Sequence, residues 1–203
     1  MARVTAEKVQ ATRAGLLKAA NDVLQAQGYA GLSTRGVAAV AGVPMSQIQY
    51  HFGSKGGMVL ALFEHLNTQL LERQNNLFNN TDLALSEKWD KACDYLEEDM
   101  ASGYVRVLHE LMVAGLSNSD FGTVALEGLM RWNALLNQLA QTAHDTYGSF
   151  GPFTPEDIAS LVASAFIGAE ALLLLGVEDH GVPIRRSLRR FGEMIRLGEL
   201  KKI

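Results

Sequence analysis

One cysteine stands among the 203 residues, Cys93, so no disulfide can form within the chain and a reducing compartment, the cytoplasm, is expected. The chain shows no positively charged leader running into an apolar segment and a small-residue cleavage site, and no apolar run long enough to span a bilayer. No membrane partner is expected. Catalytic signatures are missing too. There is no Gly-x-Ser-x-Gly elbow, Walker loop, dinucleotide fingerprint or His-Glu-x-x-His, and His51, His65, His109, His144 and His180 are scattered singly. Neither catalysis nor a metal or cofactor is expected from this pattern. Alternating β-branched runs, the mark of strands, are lacking, so the expected fold class is all-α. Charged residues make up only 20% against 48% hydrophobic, which excludes disorder.

The charge that is present is unevenly spread. Residues 1–65 hold six basic residues (Arg3, Lys8, Arg13, Lys18, Arg35, Lys55) against Glu7, Asp22 and Glu64, a net +3, which leaves −7 for the rest of a chain whose total is −4. A basic segment on an acidic body is the pattern expected when one part meets phosphates and the other must avoid them. Residues 33–52 lie in the basic segment and read as two short helices around a tight turn. Ser33 can cap a helix whose inward positions are Val37, Ala38 and Ala41, and Gly42 supplies the left-handed residue that ends it. Val43 anchors the turn. Pro44 presets the dihedral of a second helix over about 45–51, with Ile48 inward and Phe52 behind it. Met45, Ser46, Gln47, Gln49, Tyr50 and His51 are left outward or sideways, where amides and hydroxyls would meet base edges and phosphates in a major groove.

Around this motif the spacing predicts further helices. Val9, Leu16, Leu17, Ala20, Val23 and Leu24 define a first helix closed by Gly28, with Tyr29 and Leu32 in the connection. Ser54 caps a fourth that runs from about Lys55 to Gln74, although Gly56 and Gly57, at about 1 kcal/mol each relative to alanine in a helix interior, point to fraying at its start. Asn75–Asp82 reads as a loop. Three apolar stripes follow: Trp89, Cys93, Leu96 and Met100; Val105, Leu108, Met112 and Leu116; Val124, Trp132, Leu136, Leu139 and Ala143. Thr154-Pro155-Glu156-Asp157 is a helix start, and the helix behind it is apolar nearly all round from Ile158 to Leu175. Such a helix must be covered on both sides. A second subunit is the expected cover, with Ala163, Ala165, Gly168 and Ala169 permitting close approach and a last helix, about Ile184–Leu200, pairing through Leu188, Phe191 and Ile195. The arginines of that last helix, Arg185, Arg186, Arg189 and Arg190, read as a solvated face with Arg189 and Glu193 at i,i+4 and Glu178 and Asp179 nearby.

The first helix ending in Gly28-Tyr29, the Ser33-Thr34 start, Val37-Ala38, Ala41-Gly42-Val43, Tyr50-His51-Phe52 and Ser54-Lys55 together resemble the TetR family of one-component transcriptional regulators. The resemblance covers roughly residues 10–66. It implies a homodimer, joined through the last two helices, whose heads read a palindromic operator in double-stranded DNA, and a variable domain that binds a small-molecule effector. The expected layout is a helix-turn-helix DNA-binding domain over 1–54, a connecting helix over about 55–74, and an effector-binding and dimerisation domain over 75–203. A repressor is the first reading. An activator of the same fold, or a helical adaptor that no longer binds DNA, are the alternatives. Thr34 and Arg35 are placed to hold a phosphate, Gln47 and Gln49 to pair with adenine, Met45, Ser46, Tyr50 and His51 to touch the duplex, and Lys55 resembles the family's phosphate lysine. Three departures from the family pattern stand out: Ser46-Gln47 replaces a Gly-Thr-like pair and Gln49 an aromatic, so the operator sequence does not follow from the resemblance, and Gly56-Gly57 stands where acidic residues usually follow the lysine. For an effector, Trp89, Tyr104, His109, Met112, Trp132 and Phe166 are candidate lining residues, with ordinary core packing as the competing reading. Glu170, the acid inside the apolar helix, is the candidate polar contact to an effector or across the dimer, and needs a partner if buried.

Overall fold

The computed structural model describes residues 2–200, without the side chains of 2–5, so the side chain of Arg3 in the basic segment lies outside the described residues. The described residues form α1 (Ala2–Gly31), α2 (Thr34–Ala41), α3 (Ser46–Phe52), α4 (Lys55–Phe78), α5 (Leu85–Ser102), α6 (Tyr104–Gly115), α7 (Ser119–Tyr147), α8 (Pro155–Leu174) and α9 (Ile184–Leu200), with a 3-10 turn at Val177–His180. The all-α expectation holds. The chain divides into two compact units: Met1–Thr68 with Gly103–Ala125, and Gln69–Ser102 with Leu126–Ile203. Helices α4 and α7 each run on through a boundary between these segments.

In the first unit the turn chemistry is as the sequence reads. Ser33 is extended (φ −134°, ψ 146°) and its hydroxyl oxygen accepts from the Gly36 amide at 3.1 Å. Gly42 is left-handed (φ 66°), and the Gly42 and Val43 amides close back onto the Ala39 and Ala38 carbonyls, the paired bonds that end a helix sharply. Helix α1 breaks where glycine permits it, at Gly28 (φ 67°, ψ 178°). Leu16, Leu24, Val37, Ile48, Met58 and Val59 form the interior and are almost fully buried.

Helix α6 packs on α1 in the same unit. The sequence reading had placed α6 in the other domain. Its buried line also differs from the expected stripe: Tyr104, Val105, Val107, Leu108 and Leu111 point inward, Met112 is half-buried, and Leu116, past the helix end, is 89% exposed. Val105 and Val107, two positions apart, are both inward because a helix wedged among several neighbours buries a wide sector rather than a single stripe.

The start of α4 corrects a second expectation. Ser54 accepts from the Gly57 amide at 2.9 Å, as capping requires. The glycines are there for space rather than as weak points: a Cβ on Gly57 would lie 2.2 Å from the Phe52 carbonyl oxygen, and one on Gly56 would lie 3.3 Å from the Phe121 ring. The C-terminal end of α3 is pressed against the first turn of α4.

In the second unit α5 and α9 pack together. Asp90, Asp94 and Glu97 share one face of α5, and the arginines of α9 reach across to them: Arg185 to Glu97 at 2.7 Å, Arg189 to Asp94 at 2.6 Å, Arg196 to Asp90 at 2.8 Å. Arg185 also holds Glu178. The face is solvated as expected, with the Arg185 and Arg189 side chains 41% and 47% exposed and Glu178 beside Arg185, but Arg189 pairs across helices with Asp94 and not along its own with Glu193. Acids at i, i+4 and i+7 on α5 meet arginines at i, i+4 and i+11 on α9 running the opposite way, and the long guanidinium side chains take up the difference in spacing. Helix α8 starts at a full capping box between Thr154 and Asp157, with Pro155 in its first turn. Although no single apolar run is long, α8 as a whole is long and apolar enough to cross a membrane by length and composition, with a mean hydropathy of 1.7 over a window of which only 28% is buried.

Gly57→Ala, which improves helix propensity, should nevertheless lower stability by about 1–3 kcal/mol, because the methyl group must push the α3 end away. Thermal unfolding of the variant checks this; a raised midpoint would mean that the first turn of α4 yields freely.

Candidate nucleic-acid interface

Helix α3 has seven residues and no side-chain cap; its first turn is set by Pro44 and Met45, whose carbonyls accept from the Gln47 and Ile48 amides, each at 3.0 Å. Ile48 is 1% exposed and pins the helix to the interior. That single anchor fixes the rotation of the helix about its axis. Met45, Ser46, Gln49 and Tyr50 are then exposed, Tyr50 to 71%, and Gln47 is half-buried. Arg35 is exposed and Thr34 half-buried at the start of α2. The exposed surface thus carries one guanidinium, amides, hydroxyls and a thioether, a donor-rich set suited to phosphate oxygens and base edges.

Two expected contacts sit differently. The His51 ring lies edge-on to Tyr50 at 4.9 Å and beside Phe52 at 5.9 Å, and its Nε2 is enclosed without a hydrogen-bond partner, so that nitrogen does not point outward. The Lys55 ammonium donates to the Tyr29 carbonyl at 2.7 Å and rests 4.1 Å from the Tyr29 ring centroid. It has a protein partner that the sequence did not indicate. Arg13 of α1, whose guanidinium lies 5.4 Å from the Phe52 ring centroid, and Glu110 of α6, which accepts from the Tyr29 amide at 3.2 Å, also went unnoticed. Only the basic character of α1 hinted at the first; nothing local marks the second.

Residues 16–62 match the family model of bacterial regulatory proteins, tetR family. Over these residues the chain is similar to the TetR family. The chain is 39% identical over 71 residues to the HTH-type transcriptional regulator CymR of Pseudomonas putida, a match that covers 35% of this chain and 35% of that relative. Beyond the head the likeness is one of fold. The regulatory protein TetR from Rhodobacter sphaeroides superimposes with a TM-score of 0.73 at 21% identity, over 88% of this chain and 95% of that one. The transcriptional regulator FadR of Bacillus subtilis, solved in complex with stearoyl-CoA, gives a TM-score of 0.66 at 16% identity, over 89% and 96%.

The candidate effector residues are divided between the units: Tyr104, His109 and Met112 fall in the first, Trp89, Trp132, Phe166 and Glu170 in the second. Within the first, Tyr104 is buried, stacks on Phe63 at 6.0 Å and donates its hydroxyl to Asn67 Oδ1 at 3.1 Å, while His109 and Met112 are half-buried. Within the second, Phe166 stands edge-on to both Trp89 at 5.5 Å and Trp132 at 6.4 Å. Trp89 Nε1 donates to the Leu188 carbonyl and Trp132 Nε1 to Gln74 Oε1, both at 2.7 Å. The polar handles of Tyr104, Trp89 and Trp132 are therefore spent on the protein itself. Among the described residues no group of three or more His, Cys, Asp or Glu could hold a metal ion.

Arg73 on α4 grips Asp99 of α5 with one nitrogen at 2.7 and 2.8 Å and Glu98 with another at 2.7 Å, and it lies over the Tyr95 ring. Glu170 is buried near enough to act on Asp99. One guanidinium serves several carboxylates. Burial pushes the Asp99 carboxyl up to about 6, Arg73 opposes the shift, and Glu170 and Glu98 add to it. Burial likewise pushes the Cys93 thiol up to about 11, which keeps it protonated and unreactive at neutral pH.

Asp99 titrates at about 6 when folded against an ordinary value of 3.8, so the folded protein binds its proton more tightly. Its contribution to stability is complete below about pH 3.8 and lost as the pH rises through about 6. Relative to an Asp99→Asn variant, the wild-type protein should therefore lose about 2 kcal/mol of stability between pH 4 and pH 7, read by denaturant unfolding. A difference that instead favours the wild type as pH rises would show that Arg73 dominates.

Proposed function

We propose that the protein is a dimeric transcriptional regulator that occupies a palindromic operator as a repressor and leaves it when a small molecule binds the second unit. The exposed face of α3, fixed by Ile48 and the Gly42 turn, is the observation that carries this reading. Ser46, Gln47, Gln49 and Tyr50 face base edges and phosphates, with Thr34 and Arg35 on the adjoining backbone. A seven-residue helix reads only a few base pairs. Specificity then requires two heads on half-sites about 34 Å apart.

Dimerisation is supported by α8 and α9. Leu161, Leu172, Leu175, Phe191, Met194 and Leu197 are 40–80% exposed, with the small residues Ala165 and Gly168 exposed between them, and the same face of a second copy would cover them about a two-fold axis. An effector that prefers one of two conformations by about 1–3 kcal/mol would change operator affinity 5–150-fold. The stearoyl-CoA held by the fold relative FadR supports a small-molecule ligand as a class, without identifying it. The intracellular location that such a role needs accords with the lone reduced thiol.

A duplex selected by the protein from a randomised pool should bind with an affinity that falls steeply with salt, and a log–log slope near zero in gel-shift titrations would refute phosphate neutralisation. On that duplex Gln47→Ala and Gln49→Ala should each lose about 1–3 kcal/mol of discrimination against the mismatched base. Leu172→Glu with Phe191→Glu should sediment as a monomer and lose operator binding, whereas a monomeric wild type would remove the dimer from the scheme.

A further inference from the structure

Tyr29 is held from every side within the first unit. Its amide donates to Glu110 Oε1 of α6 at 3.2 Å, and its carbonyl accepts from Lys55 Nζ at the start of α4 at 2.7 Å. Its ring carries the same ammonium 4.1 Å from the centroid and meets the edge of Phe121, in α7, at 5.7 Å. Gly28 makes the approach of α6 possible, because its positive φ turns the chain and a Cβ there would come within 3.0 Å of Glu110 Oε1. Charge-assisted bonds on half-buried residues are about twice as strong as neutral ones, and here two of them, of opposite sign, grip the two polar groups of one residue. Two residues beyond Lys55, Gly57 lies close against the Phe52 carbonyl, at the end of the exposed helix α3.

We propose that Glu110 and Lys55 form a clamp on Tyr29 that fixes α6 to the start of α4, and that Lys55 is a positioning residue for α3 rather than a phosphate contact. A displacement of α6 by half an ångström or more lengthens the Glu110 bond beyond useful range, loosens Tyr29, and with it the seat of Lys55 and the α3 end. The clamp joins helices and needs no contact with DNA; its effect on an operator rests on the regulator reading above.

Lys55→Met and Glu110→Ala should each lower affinity for the selected duplex on the order of tenfold with the salt slope unchanged, and the double variant should lose no more than the worse single. Glu110→Gln, which keeps an acceptor oxygen for the Tyr29 amide, should restore most of the affinity and controls for misfolding. A slope reduced by about 0.9 in Lys55→Met would make Lys55 a phosphate contact and overturn the assignment; multiplying losses in the double variant would overturn the clamp. Hydrogen exchange gives a reading independent of DNA. Lys55→Met should speed exchange of the Tyr29 amide, whose acceptor is Glu110, and unchanged exchange there overturns the clamp even if no duplex is ever recovered, a result that would separately defeat the regulator reading.

Discussion

A helix of seven residues cannot sustain itself in water, because nucleation costs more than two turns of hydrogen bonds return. Everything about the first unit follows from having to hold α3 from outside. Ile48 supplies the apolar anchor, the Gly42 turn fixes the entry, and the exit is trapped where Phe52 abuts Gly57. With both ends and one face committed, the remaining face is free of structural duty. Its residues are exposed because the helix is too short to bury more than one stripe.

The part of this arrangement written locally was legible in the sequence. Ser33, Gly42, Pro44 and Ile48 act within a few residues of themselves, through capping, a left-handed turn and a fixed dihedral, so their types and spacing suffice. What could not be read joins residues far apart. Glu110 meets Tyr29 across 81 positions, and Arg189 meets Asp94 across 95, and neither side chain carries a mark of its partner. Gly57 shows the same limit in reverse: on propensity it is a defect, and only the neighbouring carbonyl explains it. Among the candidate effector residues, Trp89, Trp132 and Tyr104 were plausible by type, but whether an indole or phenol is spent on Leu188, Gln74 and Asn67 depends on packing that periodicity does not encode.

The second unit treats charge in two ways. On the surface, α5 and α9 exchange opposite charges one to one, at exposures where each pair contributes about 1 kcal/mol or less, so the row sets the register of the helices more than it stabilises them. Inside, burial makes the Asp99 carboxyl reluctant to ionise; Arg73 opposes this, and buried Glu170 and the more exposed Glu98 add to it. The net acidity of this part of the chain therefore has both a quiet component and a strained one.

The cross-helix row has an effect that reaches outside the fold. Four arginines crowded into one turn and a half of α9 would, left to themselves, attract any polyanion; with Arg185 and Arg189 each mated to an α5 carboxylate, about half of that charge is offset at its source. A polyanion therefore meets a weaker positive field on this stretch of α9 than its run of arginines alone would give.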